Sequence, residues 1–366
     1  MKIYLVDYIG VHCGMHYYND AFCRILSSIP GVEVCVLSNY SHEHEGKAFF
    51  LHQYKGNKLH KICCLLWNYW RLFWFVLRNR KACFIYLSYG NLIDLPYMYI
   101  ISFAKKSVID IHEAIAQNID KKKQLKRSLK YLYSIRVSSV IYHSQRTYLF
   151  LNEFGYNGIR LYVPHFKYCF SRKCNISGVR QDIISAIEKR KINILFFGNI
   201  TYEKGVDILF SAINQLDSDI QDKVNVIIAG KDLDGSVYKV APSNPSVFKI
   251  ILRHIDDDEL VYLYENTDYV ALPYRKTSQS GILEMAFYFQ KPVVATDIPY
   301  FKKVLSEFPS FGILTGNDST GYAKCLANII ENPSQFVFFS DSDYSKYSNR
   351  KEVEAFRVEF MKWIME

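Results

Sequence analysis

The opening residues show little of a leader's pattern. The chain runs straight into a strand at Lys2–Val6, with no charged region ahead of an apolar segment, so no cleaved signal peptide is expected. It also lacks an ordered cysteine framework. Nine cysteines stand at positions 13, 23, 35, 63, 64, 83, 169, 174 and 325, an odd and scattered set that reads as reduced cytosolic thiols. Cys169 and Cys174 have no second ligand pair at metal-site spacing, which argues against zinc. Low-complexity tracts and short-period repeats are missing, and 49% hydrophobic residues exclude a disordered chain. Acidic charge is scarce in one place. Residues 1–170 hold 22 Lys+Arg against 10 Asp+Glu, a net of +12, and the remainder holds 23 against 26, a net of −3. A basic first half suits an anionic surface, membrane or nucleic acid; the plainer reading is a solvated basic face.

With 366 residues the chain is long enough for two domains. Strands expected at Lys2–Val6, Val32–Leu37, Cys83–Leu87, Ser107–Ile111 and Val140–His143 alternate with helical segments such as Met15–Ser28, the pattern of a doubly wound parallel sheet. The Gly10–Gly14 loop does not spell the dinucleotide fingerprint, and no acidic residue follows at the required place, so an NAD site is rejected. The segment His60–Lys81 holds Trp67, Trp70 and Trp74 among apolar residues, with Asn68 and Arg71 inside. It is too short and too polar to span a membrane in the ordinary way. Apolar residues on nearly every face suit a helix largely covered by protein; the alternative is a helix lying at a lipid interface. A second basic cluster occupies Lys121–Lys130.

The alternation restarts after a polar stretch at Phe166–Asp182. Strands are expected at Ile192–Phe197, Val224–Ala229, Val247–Ile251, Tyr269–Leu272 and Val293–Thr296. Helices are expected at Val206–Leu216, Asp257–Asn266, Tyr322–Ile330 and Glu352–Trp363. Between Tyr269 and Thr296 the order strand, polar loop, helix, strand is a βαβ crossover. Its Ser-Gln-Ser-Gly turn, ending at Ser280-Gly281, leaves backbone N–H groups at a helix N-terminus, where a phosphate can sit. Asp256 to Glu259 reads as the acidic start of a short helix, not as a metal cluster.

Three stretches of this half resemble retaining glycosyltransferases of the GT-B fold, in particular glycosyltransferase family 4. Phe196-Phe-Gly-Asn-Ile-Thr-Tyr-Glu-Lys-Gly-Val-Asp207 is similar to the family's Gly-Arg…Lys-Gly segment. Asp268–Tyr274 resembles the strand before the donor loop, and Ser280 through Asp297 the donor-site helix with the strand beyond it. Val163-Pro-His165 resembles the motif that closes the family's acceptor domain. The resemblance implies an α/β fold of two Rossmann-like doubly wound domains facing across a cleft: 1–170 for the acceptor, 171–345 for the donor, and a C-terminal helix at 346–366 packing back toward the first domain.

The resemblance further implies sugar transfer from a nucleoside-diphosphate sugar to a saccharide or lipid-linked acceptor in surface-polysaccharide assembly, with no cofactor and no metal. The expected location is the cytoplasm, peripheral to the anionic inner face of the plasma membrane, with no nucleic-acid partner. Lys204, His112 and Arg275 are expected at the chemistry. Gly14, Asn199, Ser280, Gly281, Ile282 and Glu284 join Lys204 at the donor, with His16 and Glu113 on the acceptor side. The sequence departs from the family at three positions. Asn199 replaces an arginine, for which Arg275 is the expected substitute. The family's two glutamates fall on Thr277 and Met285, leaving Glu284 one residue out of place. These losses keep a second reading open, a nucleotide-sugar binding protein without turnover, and the basic half keeps a third, nucleic-acid binding.

Overall fold

The structure is a computed structural model that describes residues 1–10, 15–40, 48–52, 56–112, 139–153, 155–163, 174–277, 279–348 and 350–366. The chain divides into two compact units, residues 1–169 with 350–366, and residues 170–349.

The first unit is built on six parallel strands: β1 Lys2–Asp7, β2 Glu33–Ser38, β3 Cys83–Ser88, β4 Lys106–Ile111, β5 Ser139–Tyr142 and β6 Ile159–Tyr162. Their order is β2-β1-β3-β4-β5-β6. The runs Ile-Tyr-Leu-Val and Phe-Ile-Tyr-Leu are apolar without alternation because helices cover both faces. Tyrosine fills much of this core: Tyr8 stacks on Tyr97 at 4.8 Å and Tyr86 on Tyr97 at 5.7 Å. The chain leaves β1 toward β2 on one side and β3 toward β4 on the other, which puts the topological switch point between β1 and β3. The last helix, Lys351–Met365, belongs to this unit; Phe356 packs on Phe22 at 5.9 Å, and Lys106 donates to the Trp363 carbonyl at 3.0 Å.

The helix Lys58–Arg78 begins where the Asn57 side chain accepts from the His60 N–H at 2.9 Å. One face, with Cys64, Asn68, Leu72 and Val76, is buried. Asn68 holds the facing chain by accepting from the Leu51 N–H at 2.9 Å and donating to the Leu51 carbonyl at 3.0 Å. The expectation of a largely covered helix is corrected on the other face, where Leu59, Ile62, Leu66, Trp67, Trp70 and Trp74 are exposed. Among the described residues no helix is long and apolar enough to cross a membrane.

The second unit repeats the architecture with a different order. Its strands are β7 Ile192–Phe197, β8 Val224–Ala229, β9 Phe248–Ile251, β10 Tyr269–Leu272, β11 Val293–Thr296 and β12 Gly312–Thr315, ordered β12-β11-β10-β7-β8-β9 and all parallel. Here the switch point lies between β7 and β10, which lead into the helices Val206–Asn214 and Gly281–Tyr288. The acidic run at 256–259 is a capping box, Asp256 and Glu259 satisfying each other's N–H groups at the start of the helix Asp257–Glu265. Strands β6 and β12 were not among the expected ones.

Candidate active site

Two glycines shape the crevice at the β7–β10 switch point. Gly198, which ends β7, has φ +103°, and a Cβ there would lie 3.1 Å from Lys204 Nζ and 3.1 Å from Ile282 Cδ1. Gly205 has φ +65°, and its missing side chain lets the Pro273 carbonyl come within 2.0 Å of the Cβ position. The loop after β7 and the loop after β10 therefore meet backbone to backbone, with Lys204 between them.

Lys204 sits in a single turn of tight helix, Tyr202–Lys204, ahead of the helix Val206–Asn214. Lys204 is half-buried, and the atoms packed around it pull its pKa down to about 8. It lies 5.6 Å from the centre of the Tyr274 ring. Among the described residues no carboxylate lies within ion-pair reach of it. An unneutralised buried cation costs free energy until an anion joins it.

The anion's other ligands are at hand. Ser280 caps the helix Gly281–Tyr288, its side chain accepting from the Leu283 N–H at 3.2 Å. The N–H groups of Gly281 and Ile282 have no partner among the described residues, so they and the helix dipole face the mouth of the crevice that Ile282 and Lys204 share. Asn199 stands exposed beside Gly198. The structure thus brings Lys204 and Ile282 together over Gly198, with Ser280 and Gly281 at the start of the same helix as Ile282.

Two expected site residues serve other ends. Arg275 was expected to substitute for a missing cation, but its guanidinium is taken by Asp207, 2.8 Å on each of two prongs, and by the Tyr202 carbonyl at 2.7 Å. It also lies 3.9 Å over the Tyr202 ring, and its own N–H donates to the Glu203 carbonyl at 2.8 Å. Burial would push the Asp207 carboxyl up; the Arg275 charge outweighs it and holds the group below the usual carboxylate range. Arg275 is thus a strut that fixes the turn carrying Lys204. Glu284 was expected on the donor side. It is instead 1% exposed and accepts a 2.5 Å bond from the Tyr347 hydroxyl inside the second unit.

In the first unit the carboxyl edge of the sheet carries buried acids among tyrosines. Asp7, ending β1, accepts from the N–H groups of Ile9 and Gly10 at 3.0 and 3.1 Å, from Asn19 at 2.8 Å and from the Tyr89 hydroxyl at 3.1 Å. Asp94 accepts from the Tyr8 and Tyr86 hydroxyls at 3.1 and 2.9 Å, and its burial raises its pKa. Asp110, on β4, accepts from the Tyr18 hydroxyl at 2.6 Å and pairs with His143 Nε2 at 2.7 Å. Burial alone would raise the Asp110 carboxyl; His143 and His112 beside it outweigh that and hold it well below the usual range. His143 Nδ1 donates to the Val163 carbonyl at 2.8 Å, which fixes Nε2 as the atom sharing a proton with Asp110.

His112 lies just past β4, edge-on to Tyr18 at 4.3 Å and stacked with Tyr89 at 5.9 Å, its Nε2 3.7 Å from Asp110. Asp110, His112 and His143 bring possible metal-ligand atoms within 4.8 Å of one another. The 2.7 Å His143–Asp110 distance is a shared proton's; two ligands of one tetrahedral ion stand roughly 3.3 Å apart. The donor set as arranged does not fit a metal. His16 lies in the first turn of the helix Met15–Ser27, against the Tyr17 ring at 3.9 Å. Gly14, Glu113, Pro164, His165 and the Lys121–Lys130 cluster lie outside the described residues. Sequence reading missed Asp7, Tyr18, Asp94 and His143; the one signal on offer was an acid at or near the end of β1 and β4.

Residues 191–332 match the sequence profile of the family described as Glycosyl transferases group 1, a stretch that holds β7 to β12 and both phosphate-facing loops. Over that stretch the second unit is similar to the glycosyltransferases of this group. No curated protein sequence matches the chain. Among solved structures, the chain resembles sucrose-phosphate synthase from Thermosynechococcus elongatus at 12% identity and TM-score 0.69, with 100% of this chain and 98% of that one covered. HepE of Anabaena in complex with UDP-glucose shares 16% identity and TM-score 0.68, over 100% and 99% of the two chains. An α,α-trehalose-phosphate synthase from Burkholderia xenovorans in complex with glucose-6-phosphate shares 11% identity and TM-score 0.67, over the whole of both. At such identities the likeness is one of fold, and the fold is GT-B.

Proposed function

We propose that this protein transfers a sugar from a nucleoside-diphosphate sugar to a saccharide acceptor, with the diphosphate held between Lys204 and the N-terminus of the helix Gly281–Tyr288. The observation that carries the reading is the Lys204 ammonium, which has no carboxylate partner among the described residues and lies with Ile282 over Gly198, where either would touch an added Cβ at 3.1 Å. A diphosphate brings the two negative charges such a site lacks. The neighbour solved with UDP-glucose makes a UDP-sugar the first donor to try.

In the reaction the bond between the sugar's anomeric carbon and the diphosphate oxygen breaks with its electron pair on that oxygen, the acceptor hydroxyl's oxygen bonds to the same face of the carbon, with retention, and the hydroxyl's proton passes to the departing diphosphate. Charge grows on the leaving diphosphate, where Lys204 and the helix N–H groups stand ready without rearrangement. Arg275 and Asp207 position Lys204. The acceptor is read as a saccharide or lipid-linked saccharide of surface-polysaccharide assembly, met in the cytoplasm at the inner face of a membrane. Support for this comes from the basic charge of residues 1–170 and from the exposed tryptophans of the helix Lys58–Arg78.

The test is release of nucleoside diphosphate from UDP-, GDP- and ADP-sugars, with and without saccharide acceptors. Acceptor-dependent release with one donor supports transfer. Nucleotide binding without release under any acceptor would make the chain a binding protein instead.

A further inference from the structure

We propose that the outer face of the helix Lys58–Arg78 is a docking surface for an anionic phospholipid membrane, with the helix lying in the plane of the headgroups. Six large apolar side chains make one continuous stripe on it: Leu59, Ile62, Leu66, Trp67, Trp70 and Trp74, three or four residues apart save for the adjacent Leu66 and Trp67, which keeps all six on one side of the helix. The three tryptophans are 48%, 54% and 44% exposed. A soluble surface that carries no partner rarely gathers so much apolar area. Indole, flat, apolar and carrying one N–H, is at its most stable at the boundary between hydrocarbon and water.

Charge selects the partner. From Gly46 to Ile93 the chain contains no Asp or Glu and eight Lys or Arg. Each such cation near an anionic leaflet contributes about 1 kcal/mol of attraction. A second copy of the chain would bring this same basic stretch against itself, so the surface repels its own image. Nucleic acid would meet the cations but leave Leu59, Ile62 and Leu66 without a use. A bilayer answers both features at once.

The groove beside the stripe has the matching chemistry. About 430 Å³ in volume, it is lined by Phe49, Trp70, Arg71, Trp74, Phe75 and Arg78. Its rings accept hydrocarbon and its two guanidiniums meet phosphate. Arg71 is steadied by the Phe49 carbonyl at 2.5 Å and by the Phe49 ring at 4.5 Å, and Arg78 has no ion pair among the described residues. The opposite face of the helix is anchored through Leu72, Val76 and the Asn68 clamp, so lipid can take the outer face without unfolding the inner one.

This surface deepens the membrane contact of the proposed function, and vesicle binding is measured with neither donor nor acceptor, so either can fail without the other. The experiment sediments the full-length protein with vesicles of phosphatidylcholine alone and with added phosphatidylglycerol, at low and high salt. Tryptophan emission is read in parallel, because three of the four tryptophans lie on this helix. The wild type is expected to sediment with the anionic vesicles, with a blue shift, and to release at high salt. The double variant Trp70→Ser, Trp74→Ser should bind at least tenfold more weakly and Arg78→Gln several-fold more weakly, both with unchanged far-UV circular dichroism and unchanged turnover on a soluble acceptor. The proposal is overturned by absence of sedimentation, by equal binding to neutral vesicles, or by undiminished binding of the double variant. It is also overturned if that variant turns a dimer into a monomer, or if the wild type prefers an oligonucleotide to the vesicles.

Discussion

Arg275 and Asp207 face each other across two hydrogen bonds of 2.8 Å each, and this pair ties the loop after β10 to the helix that follows Lys204. The tie crosses the switch point of the second sheet, where the two phosphate-facing loops must keep their spacing. Arg275→Ala is therefore expected to lower stability by about 1–3 kcal/mol. It should also weaken nucleotide binding by about tenfold, or 1.4 kcal/mol. Arg275→Lys, which keeps the charge but loses the fork, should recover little of either. Chemical denaturation and nucleotide titration of the two variants check this; a variant with full affinity would show that the strut does not position Lys204.

Asp110 is held ionised inside the first unit by His143 and His112 against the cost of burial. A carboxyl depressed in the folded state contributes stability that is present above its unfolded value, near 3.9, and is lost as pH falls through the acid range below it. Asp110→Asn leaves the Tyr18 hydroxyl and the His143 ring without their charge, at a cost of about 3–5 kcal/mol. The wild type should therefore lose more stability than the variant on acidification below about pH 4. Parallel denaturant titrations across that range decide it.

Glu284 and Tyr347 share a 2.5 Å hydrogen bond inside the second unit. Tyr347→Phe removes the donor and leaves a buried carboxylate, a loss of about 1–3 kcal/mol. Nucleotide affinity should stay within about twofold in this variant, because the pair supports the fold and not the ligand; an affinity loss beyond ~1 kcal/mol would return Glu284 to the donor site.

How much of this was legible in the sequence varies by element. Strands β7, β8, β10 and β11 start and end where the apolar runs do, because a strand buried on both faces has no alternation to blur its ends. The capping residues Asp256 and Ser280 marked two helix starts. Strand β12 escaped notice because it is a four-residue edge strand opening at Gly312, and β6 because Arg160 interrupts its short apolar run. At the candidate site, Lys204 was named from the likeness of its Lys-Gly segment to the family's, whereas the partner of Arg275 depended on a contact 68 residues away that no local pattern contains. The exposed side of the tryptophan helix was equally hidden, since apolar residues around the whole helix read as burial until packing shows which face is covered.

In the proposed reaction Lys204 is a half-buried cation that receives the diphosphate. Its depressed pKa fixes the signs. Between about 8, its folded value, and about 10.4, its unfolded value, the unfolded chain holds the extra proton, so its penalty shrinks as pH rises through that window. Below about pH 8 the penalty is complete, on the order of 3 kcal/mol at most. Nucleotide affinity should run the other way, constant below about pH 8 and falling above it as the ammonium loses its proton.

The most direct measurement is thermal unfolding of the wild type and of Lys204→Met, each alone and with UDP, GDP, ADP or CMP and their sugars, at pH 7. The account predicts that Lys204→Met melts at the same temperature or higher than the wild type without ligand. One nucleotide should raise the melting temperature of the wild type and leave that of the variant unchanged. A nucleotide that stabilises both proteins equally would contradict the assignment of the diphosphate to Lys204, as would a wild type that responds to none of them.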